Sequence, residues 1–91
     1  MFKILEELIG VIRQRKSSKI EESYTKKLLS NKNLNIEKVR EEIAELIDAI
    51  EKNTNKTHEA ADVLYHLMVL LEANDIKIED VMNELRKRQK Q

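Results

Sequence analysis

The sequence has 91 residues with one glycine, no proline and no cysteine, and its 17 basic and 17 acidic residues leave no formal net charge. The absence of cysteine excludes disulfides, thiol catalysis and zinc–thiolate sites, and the balanced charge excludes a general attraction for nucleic acid or an anionic membrane. A chain of this length buries only about 60% of its unfolded surface, so we predict one all-α domain, residues 1–91, that forms a homodimer.

Two helices are predicted before residue 31. Apolar residues at helical spacing predict the first from Phe2 to about Arg15, and residues 17–22 are predicted to form a loop. This N-terminal segment mixes charges with apolar residues, so it is not a secretory signal, and we expect a cytoplasmic protein. A short second helix runs from Ser23, its expected cap, to about Ser30.

The rest of the chain is predicted to form a turn and three more helices. These elements are a turn at Asn31 to Asn33, a helix from Ile36 to about Lys52 capped by Asn35, a helix from about Thr57 to Ala73, and a helix from about Ile78 to Lys87. The inward faces are expected to carry Val39, Ile43, Leu46, Ile47 and Ile50 on the third helix and Val81, Met82 and Leu85 on the fifth. The short connection at residues 52–56 predicts an antiparallel hairpin of the third and fourth helices.

Four carboxylates occur at i, i+3 spacing on the two hairpin helices. Glu42 and Glu45 lie on the third helix, and Glu59 and Asp62 lie on the fourth. The fourth helix is apolar almost all round, which is typical of a buried helix, and buried carboxylates cost several kcal/mol each unless a cation neutralises them. Oxygen ligands of this kind favour one or two Mg²⁺ ions, and Mn²⁺ is also suitable.

Other interpretations of these residues exist. Taken alone, the acids of the third helix are better explained as solvated charges paired with Lys38 and Arg40. A di-iron site would use Glu-x-x-His, and neither His58 nor His66 follows a glutamate at that spacing. His66 is a candidate substrate contact or a core residue with a satisfied hydrogen bond.

Three lysines are candidate phosphate ligands. Lys38 lies four residues before Glu42, where it could bind a phosphate or pair with the acids. Lys26 and Lys27 lie near the start of the second helix, where free backbone N–H groups favour anions, although a solvated basic face is an equally simple explanation.

At these residues the chain resembles the all-helical MazG-type nucleoside triphosphate pyrophosphohydrolases, whose signature is Glu-Glu-x-x-Glu followed by Glu-x-x-Asp. It is similar in particular to the phosphoribosyl-ATP pyrophosphohydrolase family, in three stretches that span most of the chain: residues 23–29, SYTKKLL; residues 38–42, KVREE; and residues 59–71, EAADVLYHLMVLL. The resemblance implies a MazG-like homodimer that uses magnesium to hydrolyse an α–β phosphoanhydride.

The resemblance also implies roles for individual residues. Glu42, Glu45, Glu59 and Asp62 would hold the metal, Glu41 would be an extra ligand or proton acceptor, and Tyr24, Lys26, Lys27, Lys38 and His66 would contact the substrate. Arg40 stands where the family usually has glycine, and this difference concerns the substrate. Two alternatives therefore stay open: a house-cleaning pyrophosphatase for other nucleoside triphosphates, and a helical dimerisation module without catalysis.

Overall fold

The computed structural model describes residues 1–17 and 23–89, and these form five α-helices without a β-strand. The helices are α1 Lys3–Ser17, α2 Tyr24–Ser30, α3 Lys32–Lys52, α4 Lys56–Ala73 and α5 Ile78–Gln89. The predicted all-α fold is therefore confirmed. Ser17 belongs to α1, and the rest of the predicted loop lies outside the described residues.

Two caps define the ends of α2 and the start of α3. The Ser23 side chain accepts a hydrogen bond from the Lys26 backbone N–H at 3.0 Å, as predicted for the cap of α2. Asn31 ends α2 and also caps α3, because its side chain accepts a hydrogen bond from the Leu34 N–H at 3.1 Å. A single non-helical residue thus separates the two helices.

The predicted turn at Asn31 to Asn33 and the predicted cap at Asn35 are wrong. Capping by Asn31 starts α3 one turn earlier and adds backbone hydrogen bonds such as Asn35 N–H to Asn31 O at 3.0 Å. Asn35 consequently lies inside α3 and is fully buried. Within the described residues, neither its side-chain nitrogen nor its oxygen has a hydrogen-bond partner.

Helices α3 and α4 form the predicted antiparallel hairpin. Asn53 and Asn55 in the connection have positive φ angles of 55° and 53°, a conformation that asparagine tolerates better than most residues. Glu45 lies close to Glu59 on the opposite helix. The acids of α3 and α4 therefore come together beside the connection.

The hydrophobic core is small and joins α1, α2 and α4. Its buried side chains are Ile12, Leu28, Met68 and Val69. Val39 on α3 is buried as predicted, whereas Ile43, Ile47 and Ile50 are 42%, 52% and 57% exposed.

The predicted inward face of α5 is only partly covered: Val81 is half-buried, whereas Met82 is 45% and Leu85 49% exposed. Within the described residues, the other helices cover these predicted apolar faces only in part. None of the described helices is both long enough and apolar enough to cross a membrane.

Ion pairs hold α1 against the end of α4 and the start of α5. We call Arg13, Lys16, Glu72, Asp75 and Glu79 the α1 ion-pair cluster. The Arg13 guanidinium donates to Glu72 Oε2 at 3.1 Å and to the two Glu79 carboxylate oxygens at 3.0 and 2.6 Å. The Lys16 ammonium donates to Asp75 Oδ1 and to the Glu72 carbonyl, both at 2.7 Å. Every carboxylate in this cluster therefore has a basic partner.

Candidate active site

The four predicted carboxylates lie along the facing sides of α3 and α4, and we call Glu42, Glu45, Glu59 and Asp62 the acid cluster. Glu42, Glu45 and Glu59 each offer one carboxylate oxygen within 4.8 Å of the others. Asp62 and Glu59 meet the same distance limit together with His58. This convergence follows from two local i, i+3 spacings and one short connection.

The members of the acid cluster repel one another. Burial raises the pKa of Glu42, and the negative charge of Glu45 raises it further. Burial likewise raises the pKa of Glu59, with Glu45 and Asp62 adding to the effect. Neighbouring negative charges thus disfavour ionisation of the Glu42 and Glu59 carboxyl groups. The cluster therefore concentrates negative charge that no lysine or arginine of the described residues pairs with directly.

Two carboxylate oxygens in the acid cluster are buried without a partner. Within the described residues, Glu42 Oε2 and Glu59 Oε2 have no hydrogen-bond donor. An enclosed carboxylate oxygen that accepts no hydrogen bond is costly, and a hard divalent cation is the natural group to satisfy it. The residues present thus fit a magnesium or manganese ion held by oxygen ligands.

His58, which lacks the Glu-x-x-His spacing of an iron ligand, also lies in this region. Its Nε2 lies 3.4 Å from Asp62 Oδ2, and its side chain is 74% exposed. The i, i+4 spacing of His58 and Asp62 on α4 was the signal that could have identified this contact. A nitrogen donor therefore lies at the solvent edge of the acid cluster.

Lys38 and Glu41 lie on α3 beside the acid cluster. The Lys38 ammonium is 3.4 Å from Glu41 Oε2, and this neighbour is the main cause of the raised Lys38 pKa. Glu41 also lines, with Glu45 and Glu59, an open cleft of about 410 Å³. Arg40, immediately before Glu41, is exposed. A cation and a further carboxylate thus border the region where a substrate could reach the acids.

Tyr24 and His66 connect α2 to α4 next to the acid cluster. The Tyr24 hydroxyl lies 3.1 Å from His66 Nε2, and His66 Nδ1 lies 2.8 Å from the Asp62 backbone carbonyl. Burial raises the Tyr24 pKa, while the positive charge of Lys38 lowers it. The predicted alternative for His66, a buried side chain with a satisfied hydrogen bond, agrees with this arrangement.

The two lysines of α2 are placed differently. The Lys26 ammonium donates to the Lys16 carbonyl at the end of α1, at 3.1 Å. Lys27 is exposed. One N–H of the Lys26 ammonium is therefore engaged with α1, and the other two are left for further acceptors.

The chain is similar to one family over nearly its whole length. The family model described as phosphoribosyl-ATP pyrophosphohydrolase matches residues 5–89. A phosphoribosyl-ATP pyrophosphatase from Pyrobaculum arsenaticum is 46% identical over 97% of this chain and 97% of its own length. The protein of the same name from Clostridium novyi is 45% identical over 96% of this chain and 82% of its own length.

A longer relative matches as well. The histidine biosynthesis bifunctional protein HisIE from Pyrococcus furiosus is 48% identical over 96% of this chain. The chain spans only 42% of that protein. The similarity therefore concerns one part of the bifunctional relative.

Proposed function

This chain belongs to the phosphoribosyl-ATP pyrophosphohydrolase family, and we propose that it hydrolyses the α–β phosphoanhydride of phosphoribosyl-ATP to give phosphoribosyl-AMP and pyrophosphate. This reaction is the second step of histidine biosynthesis. The observation that carries the proposal is the convergence of four carboxylates from α3 and α4, two of them with buried oxygens that accept no hydrogen bond from any described residue.

Glu42, Glu45, Glu59 and Asp62 are the residues proposed to hold one or two Mg²⁺ ions, with Mn²⁺ as a possible substitute. When bound, such an ion neutralises phosphate charge and lowers the pKa of a coordinated water. The protein contributes a rigid pair of helices that keeps the four carboxylates together before the substrate arrives. Preorganisation of this kind avoids the cost of assembling like charges during the reaction.

Three groups beside the acid cluster complete the proposed site. The Lys38 ammonium would bind a phosphate oxygen, exchanging its contact with Glu41 for a contact with the substrate. The released Glu41 carboxylate would then accept the proton of the attacking water at Oε2, or serve as an additional ligand. Lys26 and Lys27 are weaker candidates for phosphate contacts, because Lys26 is engaged with α1.

The proposed assembly is a homodimer in the cytoplasm. Ile43, Ile47 and Ile50 on α3 and Leu64 on α4 are 42–57% exposed, and a second copy of the hairpin would bury them in a helical bundle. The lack of cysteine suits a reducing compartment. Light scattering of the full chain should give the mass of two copies, and a monomer at assay concentrations would contradict the dimer.

The proposed activity is tested by measuring pyrophosphate release from phosphoribosyl-ATP with magnesium present. Glu45→Gln and Asp62→Asn keep the side-chain size and remove one carboxylate each. We expect either change to lower the rate more than about 100-fold, because loss of a direct metal ligand exceeds the usual effect of losing a supporting residue. Glu51→Gln is a matched control for Glu45→Gln, since Glu51 is an exposed glutamate on α3, the helix that carries Glu45.

The controls separate catalysis from folding and from the other functions considered. Circular dichroism and light scattering should be unchanged in all three variants. Full activity of Glu45→Gln or Asp62→Asn would contradict the site. A deoxynucleoside triphosphate panel tested in parallel should be hydrolysed much more slowly than phosphoribosyl-ATP, and the reverse order would indicate a house-cleaning enzyme.

A further inference from the structure

Both tyrosines of the chain meet one buried histidine beside the acid cluster. The sequence contains two tyrosines, Tyr24 on α2 and Tyr65 on α4. The Tyr24 and Tyr65 rings are stacked with centroids 6.5 Å apart, and His66 meets each of them edge-on. Thr25 also hydrogen-bonds the Tyr65 hydroxyl. This contact surface fixes the position of α2 relative to the acid-bearing helix α4.

The hydrogen bonds of His66 determine the direction in which Tyr24 donates its proton. A backbone carbonyl can only accept, so the 2.8 Å contact with the Asp62 carbonyl places the imidazole hydrogen on Nδ1. In the neutral ring, Nε2 is then an acceptor. The Tyr24 hydroxyl must therefore donate to Nε2 across the 3.1 Å contact.

The outward side of Tyr24 is consequently an acceptor. Its single hydroxyl proton points toward His66, so any further hydrogen bond at this oxygen must be accepted by a lone pair; Tyr24 as a whole residue is 47% exposed. A phosphate oxygen brings no proton to such a contact, whereas a hydroxyl group does. Tyr24 also lies near enough to Lys38 and Glu42 for their charges to act on its hydroxyl. The acceptor thus borders the region proposed for the phosphates.

We propose that Tyr24 accepts a hydrogen bond from a ribose hydroxyl of the bound nucleotide, and that His66 is the positioning residue that keeps the phenol oriented for it. A ribose hydroxyl is the neutral donor that lies closest to the phosphates in a nucleotide. His66 is only 6% exposed and both its ring nitrogens have partners, so it acts through Tyr24 and not on the substrate. This inference rests on the proposed function for the identity of the nucleotide.

The proton arrangement is tested first, without any ligand. Nitrogen-15 NMR of the full chain at about pH 8 should show a protonated Nδ1 and an unprotonated Nε2 for His66. A ring protonated on Nε2 would overturn the inference, because Tyr24 would then be the acceptor toward His66. This measurement does not depend on enzymatic activity, so it is separable from failure of the proposed function.

The ligand contact is tested by calorimetry with magnesium and three probes: AMP, ribose 5-phosphate and inorganic triphosphate. Tyr24→Phe should weaken AMP and ribose 5-phosphate binding about tenfold, the loss expected for one uncharged hydrogen bond, and leave triphosphate binding unchanged. Equal weakening of triphosphate would indicate a phosphate contact, and weakening of AMP alone would indicate a base contact. Either result, or no effect on AMP, would overturn the ribose assignment.

Two substitutions of His66 test its positioning role. His66→Gln can present an amide oxygen near the position of Nε2, whereas His66→Asn reaches the Asp62 carbonyl but not Tyr24. We expect His66→Asn to reproduce the tenfold loss for AMP, His66→Gln to retain most of the affinity, and the double variant with Tyr24→Phe to show no further loss. The positioning role would be contradicted if the losses of AMP affinity multiplied in the double variant. It would also be contradicted if His66→Asn and His66→Gln lost AMP affinity equally.

Discussion

The acid cluster and the α1 ion-pair cluster each gather carboxylates from separate parts of the chain, but within the described residues only the second gives each of its carboxylates an arginine or lysine partner. In the α1 ion-pair cluster, Arg13 binds Glu72 and Glu79, and Lys16 binds Asp75. In the acid cluster, buried oxygens of Glu42 and Glu59 lack a donor within the described part of the chain. The two regions lie at different ends of α4.

The carboxyl pKa values that shift are lowered in the α1 ion-pair cluster and raised in the acid cluster. The hydrogen bond from Arg13 lowers the Glu79 pKa to about 2, and the hydrogen bond from Lys16 lowers that of Asp75. Burial and neighbouring acids instead raise the pKa values of Glu42 and Glu59. Carboxylates neutralised by the protein stabilise the fold, whereas carboxylates left unneutralised are available to an external cation. Under the proposed function, the acids of the α1 ion-pair cluster are structural and those of the acid cluster are functional.

The largest expected effect is that magnesium stabilises the folded chain, because the acid cluster would bind the ion and the α1 ion-pair cluster would not. At a free Mg²⁺ concentration of 100 times its Kd, the free energy of unfolding of the unmodified chain should rise by about 2.7 kcal/mol relative to a chelator. Urea unfolding of the chain with and without magnesium measures this difference.

Glu45→Gln should be at least as stable as the unmodified chain in the chelator but less stable than it with magnesium. Without magnesium the variant should be at least as stable as the unmodified chain, because one repelling charge is gone. With magnesium it should gain much less. A Glu45→Gln variant that is less stable in the chelator would show that the acids support the fold by themselves.

A smaller effect is expected from breaking the α1 ion-pair cluster. Arg13→Met keeps an apolar stem but leaves the Glu72 carboxylate, whose side chain is only 11% exposed, without its donor. The free energy of unfolding should fall by about 2 kcal/mol. Urea unfolding measures the loss, and magnesium binding should not change.

Arg88→Met is the matched control for this experiment. Arg88 contacts Glu84 at 3.4 Å, but both side chains are more than half exposed. Its replacement should alter stability by less than about 0.5 kcal/mol, since exposed i, i+4 pairs contribute little. Equal losses for Arg13→Met and Arg88→Met would remove the contrast between the two regions.

The smallest effect concerns pH in the absence of divalent ions. Glu79 has a lowered pKa, so its contribution to stability is present above its ordinary value of 4.5 and is lost as the pH falls toward about 2. Glu42 has a raised pKa, so its contribution is present below 4.5 and is lost as the pH rises through its value in the folded protein. Stability should therefore be greatest at mildly acidic pH.

Two variants test which residue causes the loss of stability on each side of the pH of maximum stability. Glu79→Gln should flatten the fall in stability at low pH, and Glu42→Gln should flatten the fall toward neutral pH. Unfolding free energies measured between about pH 3 and pH 8 provide the comparison. A profile that Glu42→Gln leaves unchanged would contradict the proposed repulsion within the acid cluster.

Much of the fold and of the acid cluster could be predicted because both depend on local spacing. The i, i+3 acids and the short connection between α3 and α4 were sufficient to bring Glu45 and Glu59 together. The exact start of α3 could not be predicted, since Asn31 and Asn35 are equally suitable caps as residue types. In the structure Asn31 is the cap, and Asn35 lies inside the helix.

Contacts between distant parts of the chain were not predictable. The Arg13 and Glu72 pair spans 59 sequence positions, and no local pattern connects these two residues. Periodicity also identified Ile43, Ile47 and Ile50 as one apolar face, without showing that the described helices leave these side chains 42–57% exposed. Sequence spacing reports which side chains share a face, while the arrangement of the helices decides what that face contacts.

The single residue between α2 and α3 has a consequence for how this protein can vary. Asn31 ends α2 and caps α3, so no loop residues separate the two helices that could absorb a change in chain length. Each residue of an α-helix advances the side-chain direction by about 100°. One residue inserted within α2 after Tyr24 would therefore rotate its phenol away from His66, whereas substitutions of exposed side chains would not. Apart from Asn31 itself, whose side chain caps α3, this part of the chain should tolerate substitutions of exposed residues better than insertions or deletions.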